Sequence, residues 1–414
     1  MSIRSLRWPV WLALGWMAGV SVAALLAPVI ATDKPWTCVC EGVRYYPLFQ
    51  PRQLVPDGPD GRQLVALVVD WKEKKNCEKK VFAPIPFKGE FSDRHHAKDQ
   101  SPGTRNAYGE MHLLGTTPGG GDLLALLLHG SRISLAVGLF TAVLIVLLGV
   151  LLGGLAGFFG DTSLRLRKGA LPGLVPALVL AWYYAHYLRG DAWRALEGQG
   201  LGPLPGEIAI RLVIALAVAA VIVAGPAALP GWFRQKAAFP LDLTLQKIME
   251  LLESLPRLVL ILAIGAAVKS SLPLIMVLIA FTSWTGVARL VRTEMLKIRE
   301  MDFITAARAA GVGNGRIWLR HALPHAQGPA WVSLAFAVGG AMMAESALSY
   351  LGLIKGSVSW GSLMGQVRGD TLFLAWWQAV FPGLAIFVTV LSCNVLGEQA
   401  RQKRRVGISP PSLQ

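Results

Sequence analysis

The chain has 414 residues, 53% of them hydrophobic and 16% charged, with a formal net charge of +15 at pH 7. Uncharged apolar runs at 133–160 and 371–397 exceed the roughly 20 residues that cross ~30 Å of hydrocarbon, which excludes an ordinary soluble core. The positive balance does not point to nucleic acid, because the cations collect at the ends of apolar runs (Arg4, Arg7; Arg165, Arg167, Lys168; Arg234, Lys236; Arg401, Lys403, Arg404, Arg405), where they set topology.

In chain order, residues 1–31 form an N-terminal transmembrane anchor. Val29-Ile30-Ala31 resembles a signal cleavage site, but the apolar core exceeds the ~7–15 residues of a signal peptide, which favours retention. Residues 32–129 are a hydrophilic external segment, rich in Lys, Pro and Gly, with a candidate strand at 64–71 and surface-loop character around His95-His96. Cys38, Cys40 and Cys77 lie in it. In an oxidising compartment Cys77 can bridge Cys38 or Cys40, leaving one thiol, while Cys393 sits inert in a span. Histidines at useful spacing are lacking, so no metal is expected.

A core bundle starts at 130–160, with a span over 133–160. Residues 161–241 hold two further apolar runs, 169–188 and 212–233, each able to cross the membrane. The span entered at 242 begins amphipathically: Lys247, Glu250, Glu253 and Arg257, three or four apart, are expected to pair along one face. Glu250 and Glu253 are candidates for a solute pathway, the plainer alternative being charges that snorkel at a span end. Runs at 270–288 and 326–344 follow, then an external stretch to about 370, a last span ending near 397 and a basic tail at 401–414. The count is eight spans, with both termini cytoplasmic.

Between two of those runs lies a polar, arginine-bearing loop, 297–324. Met301–Ala310 reads as a helix opened by Asp302, whose carboxylate suits a helix N-terminus. Ala306, Ala307, Ala309 and Ala310 leave its surface free of bulky side chains. Gly311, Gly313 and Gly315 are expected to end it, Arg316 and Arg320 to share a face of a second helix, and Leu323-Pro324 to stop that helix. A capped solvated connector explains the same signals; a docking hairpin is the sharper reading.

The pattern Thr305-Ala306-Ala307, Gly311, Ile317, Leu323-Pro324 resembles the EAA loop of permease subunits in ATP-binding-cassette importers, with Thr305 where that family has Glu. LGTTPGGGDLLALLLHGSRISL (114–135), with Thr117 and Gly121 replacing an Asp and an Arg, is similar to the dipeptide/oligopeptide/nickel branch and its C-type subunit. So are 242–256, GGAMMAESALSYLGL (339–353), SWGSLM (359–364) and AWWQAVFPGLAIFVTVL (375–391). Residues 161–241 have no counterpart in that pattern and look like a two-span insertion into a core completed by 242–400.

The resemblance implies an all-α, polytopic helical bundle in the inner membrane: six family spans plus two, forming half of a translocation pathway for di- or oligopeptides, or alternatively nickel or another small solute. It implies a B-type sister permease, two cytosolic ATPases that bind ATP and Mg, an external solute-binding protein and surrounding lipid. The coupling surface would be Thr305, Ala306, Ala307, Arg308 and Gly311 with Arg316, Ile317, Arg320, Leu323 and Pro324 flanking it. Glu345 matches a family Glu and either lines the pathway or packs near the outer interface. No catalytic residue or cofactor is expected in this chain: GAAVKSS (265–271) lacks phosphate-loop spacing. The competing class, a gradient-driven secondary transporter, calls for buried mid-bilayer charges in broken helices and an internal repeat, neither of which is evident.

Overall fold

The computed structural model describes residues 7–50, 54–56, 62–64, 71–72, 77–90, 98–106, 108–162, 165–167, 183, 213, 236–267, 271–354, 356–367 and 374–406. Two compact units result, Met1–Gly154 with Glu250–Gln414, and Leu155–Met249. The expected spans 169–188 and 212–233, strand 64–71 and His95-His96 lie almost wholly outside the described residues.

The first unit is built on long apolar helices: α1 (Arg7–Ile30), α2 (Leu123–Phe159, which runs into the second unit), α5 (Leu272–Ile298), α9 (Gln327–Tyr350) and α11 (Trp377–Val406). Among the described residues these are the five long and apolar enough to cross a membrane. The segment entered at 242 departs from its expected single span. It forms α3 (Leu241–Ser254) and α4 (Arg257–Ala267), of 14 and 11 residues, separated at Leu255-Pro256 because proline has no N–H to continue the ladder. Arg257 therefore opens a new helix rather than sharing a face with Glu253. Glu253 pairs instead with Arg289 of α5 at 2.6 Å; both are substantially exposed, so the pair contributes at most about 1 kcal/mol.

α2 starts ten residues before the expected 133. Asp122 explains the early start: its Oδ1 accepts from Ala125 N (2.8 Å), filling an orphan donor of the first turn. At 37 residues, and about 1.5 Å per residue, α2 is roughly 55 Å long and outreaches the hydrocarbon. Its first turns bury Leu123, Ala125 and Leu126 fully: Leu123 and Leu126 pack with Met342, Trp360, Leu363 and Trp377, while Ala125 packs with Phe87 of the hydrophilic segment. That segment carries short antiparallel pairs: β1 (Thr37–Cys40) between β2 (Val43–Tyr45) and β5 (Cys77–Val81), β3 (Leu54–Pro56) with β4 (Arg62–Leu64), and β6 (Thr104–Arg105) with β7 (Met111–His112). It is tied to the bundle by buried polar contacts. His112 Nδ1 meets Asp122 Oδ2 at 2.8 Å, Gln378 Nε2 donates to Thr116 O (2.7 Å) and Asp99 Oδ1 (2.8 Å), and His129 Nε2 lies 2.8 Å from Ala31 O.

The bundle is closed by small residues, as expected where apolar burial between helices gains little over lipid. A Cβ on Gly149 would fall 2.6 Å from Val287 Cβ, and one on Gly153 would collide with the carbonyl of Ala288, so α2 and α5 touch almost backbone to backbone. α9 packs along α11, which also carries α1; there Trp16 Nε1 donates to Thr389 Oγ1 at 3.0 Å.

The stretch after α9 is structured. It forms α10 (Trp360–Met364), opened by a Ser359/Ser362 capping box, and seats it against α9, where Gly361 leaves no room for a Cβ beside the Ser346 backbone. Trp360 N donates to Ser134 Oγ (3.1 Å) and Trp360 Nε1 to Leu127 O (2.9 Å), so α10 bridges α9 and α2.

In the second unit, the ends of the segment 161–241 meet. β8 (Arg165–Arg167) and β9 (Lys236–Ala238) pair antiparallel, and Asp161 Oδ1 accepts from Leu243 N at 3.0 Å. Chain that leaves at the end of α2 thus returns beside its point of departure.

Gly153→Val is expected to destabilise the purified protein by about 1–3 kcal/mol through overpacking against Ala288. Gly286→Ala, with open space around the new methyl, should leave thermal unfolding in detergent unchanged or slightly raised.

Candidate coupling hairpin

The loop 297–324 is an ordered helical hairpin. α6 (Asp302–Ala309) begins with Asp302 in its first turn and anchors one side chain, Ile304, which is fully buried. Burying such a side chain contributes about 1.5–3 kcal/mol. The helix ends in a Schellman motif: Val312 N donates to Ala307 O (3.1 Å) and Gly311 N to Arg308 O (3.0 Å), with Gly311 at φ +79. Of the three glycines expected to end this helix only Gly311 does so. Gly313, at φ −65, precedes the next helix, and Gly315 lies inside it.

That next helix, α7 (Asn314–Ile317), widens into a π-turn, Trp318–Ala322, and then runs on as α8 (Leu323–His325) up to α9. Pro324 therefore does not stop the chain, contrary to expectation. The π-turn immediately before it relaxes the ladder at the point where proline offers no N–H, so the helix passes through. The turn also seats the hairpin. Ile317 and Ala322 are fully buried and Trp318 nearly so. Trp318 and Leu323 reach α2 at Gly154, where Met295 of α5 also arrives: their atoms lie 3.4–3.6 Å from where a Gly154 Cβ would stand. Both arms are pinned to the bundle, and the apex between them projects.

Thr305, Ala306, Arg308, Ala309, Ala310 and Gly311 are exposed, as are Arg316, Arg320 and Pro324, whereas Ala307 and Leu323 are half-buried and Ile317 is core. Thr305, standing where the resembling pattern has Glu, turns its hydroxyl back onto Asp302 O at 2.8 Å and satisfies itself within the helix. Three apolar residues that the sequence reading did not single out share the exposed surface: Met301 (45%), Phe303 (37%) and Leu319 (56%). Phe303 packs its ring on His325, centroids 5.0 Å apart. Their signal was present in the sequence as large apolar residues out of step with the buried Ile304 and Ile317. The surface thus offers small side chains, cations and a few apolar groups.

The other candidate residues lie elsewhere. Glu345 of α9 is fully buried and takes hydrogen bonds from Ser349 Oγ (2.6 Å) and, at 3.5 Å, Ser346 Oγ; Ser349 in turn meets Ser359 Oγ at 3.4 Å. The carboxylate is packed where α10 docks on α9. Glu250 and Glu253 are exposed on α3 and are not brought to Glu345 by the described contacts. Cys40 and Cys77 form a disulfide; Cys38 is buried beside it and lies outside any disulfide, and Cys393 is buried in α11. Sequence reading also passed over Asp122, His112 and Gln378, whose pairings join residues 10 and 262 positions apart.

Residues 228–403, which contain the hairpin, match the family of binding-protein-dependent transport system inner membrane components. A Brucella suis biovar 1 protein carrying a peptide transport system permease name is 36% identical over 172 residues, 41% of this chain and 56% of that protein. A dipeptide transport system permease protein of Alkalihalophilus pseudofirmus is 32% identical over 163 residues, covering 39% and 53%. A di/tripeptide transport system permease protein of Pseudomonas aeruginosa is 26% identical over 291 residues, 70% of each chain. The chain thus spans little more than half the length of the first relatives it matches. The protein is a multi-pass helical membrane protein.

Gly311→Val is expected to strain the αL turn by about 1–2 kcal/mol although its Cβ meets nothing. Gly311→Asn should be tolerated. Limited trypsin digestion reads the difference, with faster cleavage at Arg308 and Arg316 in the valine variant only.

Proposed function

We propose that this chain is a permease subunit of an ATP-binding-cassette importer for di- or oligopeptides. The reading rests above all on one observation: an exposed helix–glycine–helix hairpin, seated on α2 through Trp318 and Leu323 beside Met295 of α5, within residues matched to the transport family. The peptide assignment leans on the names of the relatives, which speak of peptide, dipeptide and di/tripeptide transport.

The chain forms half of a pathway completed by a B-type sister permease. An external solute-binding protein delivers solute, and two cytosolic ATPases hold ATP and Mg. Both termini and the hairpin face the cytosol in this reading, with the disulfide-bearing segment outside. An ATPase cleft takes the alanine face of α6, with Met301, Phe303 and Leu319 as apolar anchors and Arg308, Arg316 and Arg320 at the rim. Movement of the ATPase carries α6–α8 with it. Because Trp318 and Leu323 touch α2 beside the α2–α5 contact, that motion passes to the two spans as a rigid displacement. Glu345, packed among serines between α9 and α10, serves in this scheme to hold α10 to α9 rather than to contact solute.

Reconstitution with the sister permease, the ATPases and the solute-binding protein tests the reading. ATP-dependent uptake of a labelled dipeptide is expected; uptake of nickel alone would reassign the solute, and uptake without ATP hydrolysis would overturn the class. Ala306→Trp, placed on the exposed small-residue face, should abolish co-purification of the ATPase while thermal unfolding stays unchanged. Retained co-purification would remove α6 from the docking surface.

A further inference from the structure

α11 is flanked by α1 on one side and by α9 on the other. Between α9 and α11 runs an open groove of about 440 Å³, lined by Met343, Ala347, Met364, Gly383, Ile386 and Phe387 among others. Met343, Tyr350 and Phe387 are exposed along it. At the C-terminal end of α9 lies a second, smaller cavity of about 170 Å³, whose wall includes Ser349, Ser362 and Gln366. Tyr350 lines both spaces, so they meet at its side chain. On α9 the groove extends from Tyr350 back to Met343, two turns or about 10 Å of helix.

The two spaces differ in chemistry. The groove presents thioethers, an aromatic ring and aliphatic carbon, whereas the cavity presents hydroxyls and a carboxamide. Among the described residues, no side chain lining either space carries a charge. Two of the cavity's hydroxyls are already committed: Ser349 Oγ donates to Glu345 (2.6 Å), and Ser362 Oγ accepts from Ser359 N (2.8 Å) and donates to Ser359 O (2.9 Å). The side-chain amide of Gln366 and the hydroxyl of Tyr350 make no hydrogen bond among the described residues. Both stand on a preformed wall. A Cβ on Gly365 would lie 3.0 Å from Tyr350 O, so the chain leaving α10 presses on the last turn of α9 and fixes the mouth between them.

We propose that the groove and the cavity form one solute subsite, which takes a neutral apolar side chain of a short peptide between α9 and α11 and the adjoining backbone amide at Gln366 and Tyr350. A carboxamide donates to a peptide carbonyl and accepts from a peptide N–H, and a phenol does either, which is the pairing an uncharged amide unit requires. A mostly apolar wall with a few polar groups, in a space of ~300–1,000 Å³, is the usual make-up of a small-ligand site. A nickel ion finds no carboxylate, imidazole or thiolate among the described residues of either wall. Glu345 stays behind that wall and orients Ser349. This assignment rests on the peptide-transport reading, and adds to it where this chain holds the solute and which side chains it favours.

A Cβ on Gly383 would meet only Met364 Cε, at 3.9 Å, so a leucine there fits the fold and fills the groove. In the reconstituted transporter, ATP-dependent uptake of alanyl-leucine and of glycyl-glycine, each at saturating concentration, is compared between wild type and Gly383→Leu. The ratio of the two rates is expected to fall about tenfold in the variant, the effect of apolar pocket space lost to a solute. Taken within one preparation, that ratio does not depend on how much of the transporter folds. Met364→Ala widens the groove and should raise the ratio of alanyl-tryptophan to alanyl-leucine uptake; it decides the matter should Gly383→Leu fail to assemble. Gln366→Leu should slow alanyl-leucine and glycyl-glycine alike, and a wild-type rate there overturns the amide contact. Wild-type ratios in the groove variants overturn the subsite and leave the transport reading standing, whereas a wild type that takes up no dipeptide overturns both.

Discussion

The contact on which the most of this structure depends is the near backbone-to-backbone meeting of α2 and α5 at Gly153 and Ala288. In lipid, apolar side chains gain little by leaving the hydrocarbon, so helix pairs must be held by dispersion at short range and by a few polar bonds. Glycines at 149 and 153 allow that approach on α2. The next residue, Gly154, receives Trp318 and Leu323 from the hairpin and Met295 from α5. One glycine-lined stretch of a single helix thus fixes both a span–span contact and the seat of the hairpin.

The opposite end of α2 is organised by polar rather than steric complementarity. Asp122 caps the helix with one carboxylate oxygen and holds the buried His112 with the other. Gln378, at the start of α11, reaches the carbonyl of Thr116 and the side chain of Asp99. Buried polar groups are costly unless bonded, so these pairings specify how the hydrophilic segment sits on the bundle more than they stabilise it. α10 follows the same logic, its backbone and indole N–H groups spent on Ser134 and Leu127. A glycine seam thus holds one end of this helix, and capped, bonded polar groups hold the other.

Local signals in the sequence were reliable where the physics is local. Hydropathy found the long helices at 8–31, 326–344 and the last span, because about 20 apolar residues have few alternatives to crossing a bilayer. Asp302 and Gly311 marked the ends of α6, since capping needs only neighbours in the chain. The same kind of signal misled at Pro324, where the rule that proline ends a helix neglected a π-turn that accommodates it. It misled again after 242, where apolar character hid a break at Pro256, and at the start of α2, where the apolar run was taken as the whole helix and Asp122 as loop.

What the amino-acid sequence determined by itself was a polytopic helical membrane protein with a capped, arginine-bearing hairpin between two of its spans. Periodicity, hydropathy and caps are properties of single segments and need no partner to be read. Tertiary structure alone decided that Glu253 turns to Arg289, that Glu345 packs among serines, that Cys40 takes Cys77 while Cys38 lies beside them, and that Trp318 rests on α2. Each of those outcomes is a choice among several chemically suitable partners. Only the close packing of distant segments, down to the missing Cβ of a glycine, sets which of them comes within reach.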